Sequence, residues 1–338
     1  MSTIDTRLAG VEIRYCQPPR ESIGMRVSDR IRNCVGFLSH AVTNPKYIGT
    51  GFLVAIRGRF DNAYVHLVTA AHVAEVLDPG DWLFGMNGKP PLGKIWLQGG
   101  TVKWWYHPTE RDSVDCAVTI FASNKTHEYD MEYIPDVMFV TDEKIKQRDL
   151  GIGDELTVVG LFTRFHGSAR HVPIVRTGNV ALMPGERIPV GANKEMEVYL
   201  AEGRSIGGLS GSPVFLRETL TMDVHDDKGG TKKFGGQGQI HFLGLMRGHW
   251  DTETLPANFQ REQMEAVNMG ISIVVPAQKI WEVLHHPELV AMRQEFDDKL
   301  QTERERGYPT TDSSKQDETF TKDDFEAALK KASRKKGK

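Results

Sequence analysis

Gly207-Gly208-Leu209-Ser210-Gly211-Ser212-Pro213-Val214-Phe215 is the stretch whose reading decides the fold. A serine stands between glycines, and an apolar run with strand character follows it. Serine oxygen is a weak nucleophile at its free pKa, so an attacking serine needs a base and donors for the oxyanion its attack creates. Glycine on both sides lets the backbone turn tightly and aim N–H groups at one point. Gly208 and Ser210 would supply those donors. Alone, the same residues describe a Gly/Ser turn between two strands.

Two stretches upstream decide between these readings. Leu67-Val68-Thr69-Ala70-Ala71-His72-Val73 is an apolar strand ending in a histidine flanked by small residues. Val114-Asp115-Cys116-Ala117-Val118 places one carboxylate at the head of an apolar strand. The order His, Asp, Ser is that of the chymotrypsin arrangement and differs from those of subtilisin and the α/β-hydrolases. Thr69-Ala70-Ala71-His72, Asp115-Cys116-Ala117-Val118 and Gly208-Leu209-Ser210-Gly211-Ser212-Pro213 resemble the three signatures of the trypsin-like serine peptidases. The resemblance extends over roughly residues 30–285.

That resemblance implies an all-β chain of two antiparallel six-stranded β-barrels (chymotrypsin-like) with a C-terminal helix. It places an N-terminal arm at 1–29 and a first barrel at 30–125 carrying His72 and Asp115. The second barrel, 126–285, carries Ser210, a helical extension follows at 286–300, and a charged tail at 301–338 holds a candidate short helix at 322–332. Catalytic roles fall on His72, Asp115 and Ser210, with the oxyanion between the N–H groups of Gly208 and Ser210. A histidine base implies a rate that climbs with pH as imidazole deprotonates, near pH 6.5 for a free ring.

The chain of 338 residues is 39% hydrophobic and 26% charged, enough to bury one or two sizeable cores. A net charge of −3, without basic clusters before the last few positions, argues against nucleic acid as a partner. No apolar run approaches the ~18 residues of a membrane-spanning helix. Met1 to Gly10 lacks the basic-then-apolar pattern of a secretory signal. Three scattered cysteines do not make a disulfide framework, which points to a cytoplasmic protein of the bacterial and intracellular branch of the family. No cofactor is implied, and no metal.

Along the chain, Cys34 to Leu38 reads as a first strand. Gly49-Thr50-Gly51-Phe52-Leu53-Val54 resembles the strand before the histidine strand; with no helix pattern after it, its Gly-x-Gly is not a nucleotide fingerprint. Trp104-Trp105-Tyr106 reads either as a substrate stacking platform or as a cover for one end of a barrel. Asp112 rivals Asp115, but it sits in a polar loop, whereas Asp115 is drawn inward by its strand. Burial strengthens a carboxylate's hold on an imidazole, so Asp115 is preferred. Asp223 to Gln239 is polar and glycine-rich and reads as a solvated hairpin. Its His225-Asp226-Asp227 has poor ligand spacing for a metal. His66, alternating with Leu67, reads as structural.

Specificity is weakly encoded. Arg204 stands where the family places the base of its primary pocket, which would favour an acidic side chain; the competing reading is an arginine in solvent. Arg247, His249 and Ser272 are candidate pocket edges. Leu209 replaces the aspartate by which digestive members bind a newly cut N-terminus, so that switch is not expected here. The leading expectation is a serine endopeptidase acting on proteins or peptides. The alternatives are a catalytically silent protease fold used as a protein-binding module, and an acyl hydrolase acting on esters. The tail from Thr302 reads as a docking segment for a regulatory protein partner or as a solubilising end.

Overall fold

The computed structural model describes residues 27–40, 46–60, 62–77, 81–123, 125–189, 195–203, 208–225, 231–249 and 270–305, with the backbone alone at 220–225, 231–237 and 249. The arm to residue 26, Arg204, Gly207, the pair Asp226-Asp227 and the candidate helix at 322–332 lie outside these residues. Among the described residues, no helix is long and apolar enough to cross a membrane.

The first half opens with α1 (Asp29–Arg32), capped by the Ser28 side chain, and continues through β1 (Val35–His40), β2 (Lys46–Arg57) and β3 (Ala63–Thr69). Then come α2 (Ala71–Leu77), β4 (Trp82–Asn87), β5 (Lys94–Gln98), β6 (Trp105–Tyr106), β7 (Ala117–Ile120) and β8 (Ile134–Pro135). These strands form an eight-stranded sheet in the order β5-β4-β1-β2-β3-β7-β6, with β8 beside β2. The expected first barrel does not close among the described residues. β5 pairs only with β4, and the two-residue β6 only with β7. Between them the chain turns at Gly99-Gly100, where Gly99 N–H bonds Trp82 O and Trp82 Nε1–H bonds Gly100 O. The rings of Trp82 and Trp104 stack at 5.6 Å, and Trp104 and Trp105 are buried, so aromatic side chains cover this end in place of a ladder.

After α3 (Asp142–Arg148), the second half contains β9 (Glu155–Gly160), β10 (Ile174–Leu182), β11 (Ile188–Pro189), β12 (Glu195–Met196) and β13 (Tyr199–Glu202). β14 (Pro213–His225), β15 (Thr231–His249) and β16 (Ile271–Pro276) follow, then α4 (Ala277–Leu284) and α5 (Pro287–Glu305). Six of these strands close a barrel in the order β10-β13-β16-β15-β14-β9. β14 leaves β9 at Arg217, whereas its ladder with β15 runs on to His225, so the two strands extend past the barrel as a paired arm. Phe52 from the sheet meets Phe242 from the barrel at 5.4 Å, and Phe215 and Phe139 complete the apolar seam between the halves.

α5 crosses back to the first half. The buried Asp297 accepts hydrogen bonds from Tyr64 Oη at 2.6 Å, Asn62 Nδ2 at 3.3 Å and the Arg59 N–H at 3.4 Å, clasping the β2–β3 hairpin. Arg293, one turn earlier, points at Nε2 of the buried His66, whose Nδ1–H donates to Tyr64 O at 3.1 Å. Burial, then the Arg293 charge, lower the His66 pKa to about 3. His171 is also buried; its ring stands edge-on to Phe37 and Trp96, and neither nitrogen has a hydrogen-bond partner among the described residues. Burial, then Lys94 and His166, bring it to about 3.

Both rings stay neutral in the fold where an unfolded histidine, titrating near 6.5, takes up a proton. The unfolded state therefore binds more protons between pH 6.5 and 3. Their contribution to stability is complete above that window and is lost as pH falls through it. The melting temperature should drop steadily from pH 6.5 to 4. His171→Phe should flatten the slope and raise the midpoint at pH 5, since it removes a buried N–H without a partner, worth roughly 1–3 kcal/mol. Identical slopes in thermal melts of the two chains would count against this.

Candidate active site

His72 owes its position to small neighbours. β3 ends at Thr69, and the N–H groups of Val73 and Ala74 turn back onto Ala70 O at 3.1 and 3.0 Å. Ala70, Ala71 and Ala74 are buried, which lets α2 seat on the sheet with His72 directed outwards, its side chain 49% exposed. Asp115 sits at a three-residue turn in which Cys116 N–H bonds Val114 O at 2.9 Å, just before β7. Val114 and Cys116 are buried on either side, and the Asp115 carboxylate is 12% exposed.

The carboxylate holds the histidine twice. Asp115 Oδ1 accepts the His72 backbone N–H at 3.0 Å and Oδ2 accepts Nδ1–H at 2.8 Å. This grip fixes the ring angle and the tautomer, leaving the Nε2 lone pair to the cleft. Burial pushes the Asp115 pKa up, but the hydrogen bonds from His72 and the Arg247 charge outweigh it and hold the group below its ordinary value. Arg247 Nε lies 3.4 Å from Oδ2. The neighbouring Cys116 thiol is pushed up by burial and by Asp115, so it stays protonated. Asp112 is exposed, with no side-chain hydrogen bond among the described residues.

Ser210 approaches from the other half on a loop that needs its glycines. Gly208 and Gly211 have φ of 100° and 84°, and a Cβ on Gly211 would lie 2.1 Å from Thr50 O. Ser212 N–H bonds Leu209 O at 2.9 Å, Gly211 N–H bonds Met246 O at 2.8 Å, and Thr50 N–H bonds Ser210 O at 2.9 Å. Leu209 is buried in the barrel with Val158, Val214 and Met246, so its place is filled by packing and not by charge. Neither Gly208 N–H nor Ser210 N–H donates to a described residue. The Ser210 hydroxyl donates to Arg247 O at 3.1 Å, and among the described residues no hydrogen bond joins it to His72. Arg247 thus touches both sides of the site, by its guanidinium at Asp115 and its carbonyl at Ser210.

The expected pocket edges fall in different places. Arg204 is outside the described residues, and so is the His249 side chain, though its backbone pairs with Ser272. Ser272 is buried, and its hydroxyl donates to Gly203 O at 3.1 Å. The space behind Leu209, Met246 and Ser272 is only about 20 Å³, room for one water and no substrate group. Elsewhere, His107, Glu110 and Glu282 form a cluster of metal-ligating type. His107 Nε2 is bound to Glu282, its Nδ1 accepts Glu110 N–H, and the Lys279 ammonium occupies the carboxylates. The cluster is an ionic seam between the sheet and α4. Thr50 and the inward turn of Arg247 were not singled out from sequence; the one available signal was a threonine held between Gly49 and Gly51.

What is defined here is a mostly β protein with one closed six-stranded barrel, a C-terminal helix pair, a His–Asp pair and a glycine-flanked serine. No family model and no curated protein matches the chain. Among solved structures it is similar to the MamO protease domain from Magnetospirillum magneticum in its apo form. Identity there is 13%, coverage 61% of this chain and 92% of that one, and the TM-score 0.37. It is also similar to Deg5, at 15% identity over 75% of this chain and 88% of that one, TM-score 0.41.

Proposed function

We propose that the chain is a serine endopeptidase that cleaves peptide bonds through an acyl-enzyme. The observation that carries this reading is the double hydrogen bond from His72 to Asp115, facing a serine loop whose Gly208 and Ser210 N–H groups are unoccupied by described partners. His72 Nε2 takes the Ser210 proton as Oγ attacks the carbonyl carbon, and Asp115 stabilises the imidazolium. The tetrahedral oxyanion is received by the Gly208 and Ser210 N–H groups. His72 then protonates the leaving amine, and water, deprotonated by the same ring, releases the acid. The proposed step needs the Ser210 hydroxyl to leave Arg247 O for His72; catalytic hydrogen bonds often tighten only when substrate binds.

The serine's bond to Arg247 O favours a second reading, a silent fold that binds proteins without cutting them. A fluorophosphonate probe separates the two. Attack of Ser210 Oγ on phosphorus expels fluoride and leaves a stable adduct, detected by mass on the Ser210 peptide. The peptidase reading expects labelling together with cleavage of a peptide library. Labelling with turnover of p-nitrophenyl esters and no cleavage would assign an ester hydrolase. No labelling would assign the silent fold.

A further inference from the structure

Thr50 lies in the middle of β2, wholly buried, and every polar atom it has is committed. Its N–H donates to Ser210 O at 2.9 Å and its carbonyl accepts Thr69 Oγ1–H at 2.8 Å. Its hydroxyl donates to Gly208 O at 2.9 Å and accepts Leu161 N–H, also at 2.9 Å. One side chain of the sheet therefore holds two backbone groups of the opposite half, one of them in the residue whose N–H is assigned to the oxyanion.

The backbone bond to Ser210 O survives any substitution at position 50, so the hydroxyl is the separable part. Gly208 is the loop residue with most freedom to move: it has φ of 100° and no Cβ, and Gly207 precedes it. Its carbonyl belongs to the peptide leading into Leu209, so fixing it fixes the turn between the two N–H groups that face the substrate. Thr163 and Leu161 crowd the other side of Gly208, and Leu161 is itself anchored on Thr50 Oγ1. Without the hydroxyl, the part-buried Gly208 O and the buried Leu161 N–H both lose this partner, and the peptide turns to find others.

We propose that Thr50 is a positioning residue for the oxyanion site, its hydroxyl aiming the Gly208 and Ser210 N–H groups from across the seam. This rests on the serine hydrolase reading. The test compares wild type, Thr50→Val and Thr50→Ser in the full chain, with p-nitrophenyl acetate and the fluorophosphonate as probes. Removing a whole oxyanion donor costs about 10²–10³ in kcat. Misaiming both, with the N–H groups still present, is expected to lower kcat about 10- to 100-fold in Thr50→Val with KM within about twofold. Labelling should slow in parallel, and Thr50→Ser, which keeps the hydroxyl, should stay within about threefold of wild type.

Thr50→Val with wild-type kcat overturns the proposal, and so does Thr50→Ser falling as far as Thr50→Val, which would make the methyl packing the cause. A rise in KM with kcat unchanged overturns it also. Where Thr50→Val does not fold, Thr50→Ala is judged by the same criteria. A wild type that neither hydrolyses the ester nor takes the label sinks the hydrolase reading itself, an outcome distinct from loss in the variant alone.

Discussion

Ser210→Ala is expected to lower kcat about 10⁶-fold and to abolish fluorophosphonate labelling, with the fold retained. The hydroxyl is the nucleophile in the proposed sequence. Structurally its removal is mild. Among the described residues it makes one hydrogen bond, to Arg247 O, whose loss costs about 1 kcal/mol. The loop keeps its backbone bonds to Thr50, Met246 and Leu209. Circular dichroism and thermal melting of the variant should therefore match wild type within a few degrees, while a residual rate about 10³ above water reflects the remaining N–H donors and binding. A wild type that turns over no faster than Ser210→Ala would end the peptidase reading.

Asp115→Asn should cost about 10⁴ in kcat, because asparagine can accept with only one of its two terminal atoms. Asp115 now accepts from the His72 backbone N–H on one oxygen and from Nδ1–H on the other. With asparagine, an oxygen kept on the backbone N–H turns the amide nitrogen towards Nδ1. The ring must then carry its proton on Nε2, the tautomer that cannot accept from Ser210. In that orientation the amide nitrogen also meets Arg247 Nε, which lies 3.4 Å from the Oδ2 position, whereas the opposite orientation sets an N–H against the His72 backbone N–H. Steady-state kinetics measure the loss, and the imidazole N–H resonances in NMR report the tautomer. An asparagine variant within tenfold of wild type would show that the grip on His72 is not needed.

The chain announces some of this architecture locally and hides the rest. The stretches around His72, Asp115 and Ser210 stand out in the sequence from a few neighbours each; in the structure His72 bonds Asp115, while the Ser210 hydroxyl bonds Arg247 O. The open edge of the first sheet was not readable. Closure depends on whether β5 meets β6, and the short β6 and the Trp82–Trp104 contact settle that across the connection from Gln98 to Trp105. Arg247 reads as a pocket edge from the family resemblance of its strand, which does not say which carboxylate waits there; here Asp115 does. The arm beyond Arg217 carries Gly235, Gly236 and Gly238, residues of low strand propensity, yet its backbone ladder forms regardless. Asp297 carries no local signal of its role. Only the fold brings Tyr64, Asn62 and Arg59 around it.

The paired arm has a mechanical consequence. Of its two legs, β14 starts three residues after Ser210 and β15 passes through Arg247, and the legs are tied at Pro213↔Leu245 near the root. Torque applied at the far end travels down both legs together. It displaces hydroxyl and carbonyl as one unit, leaving their mutual bond undisturbed, while imidazole and carboxylate stay fixed on the opposite sheet. Such a movement would change the spacing between Ser210 and His72, the one the proposed proton transfer uses.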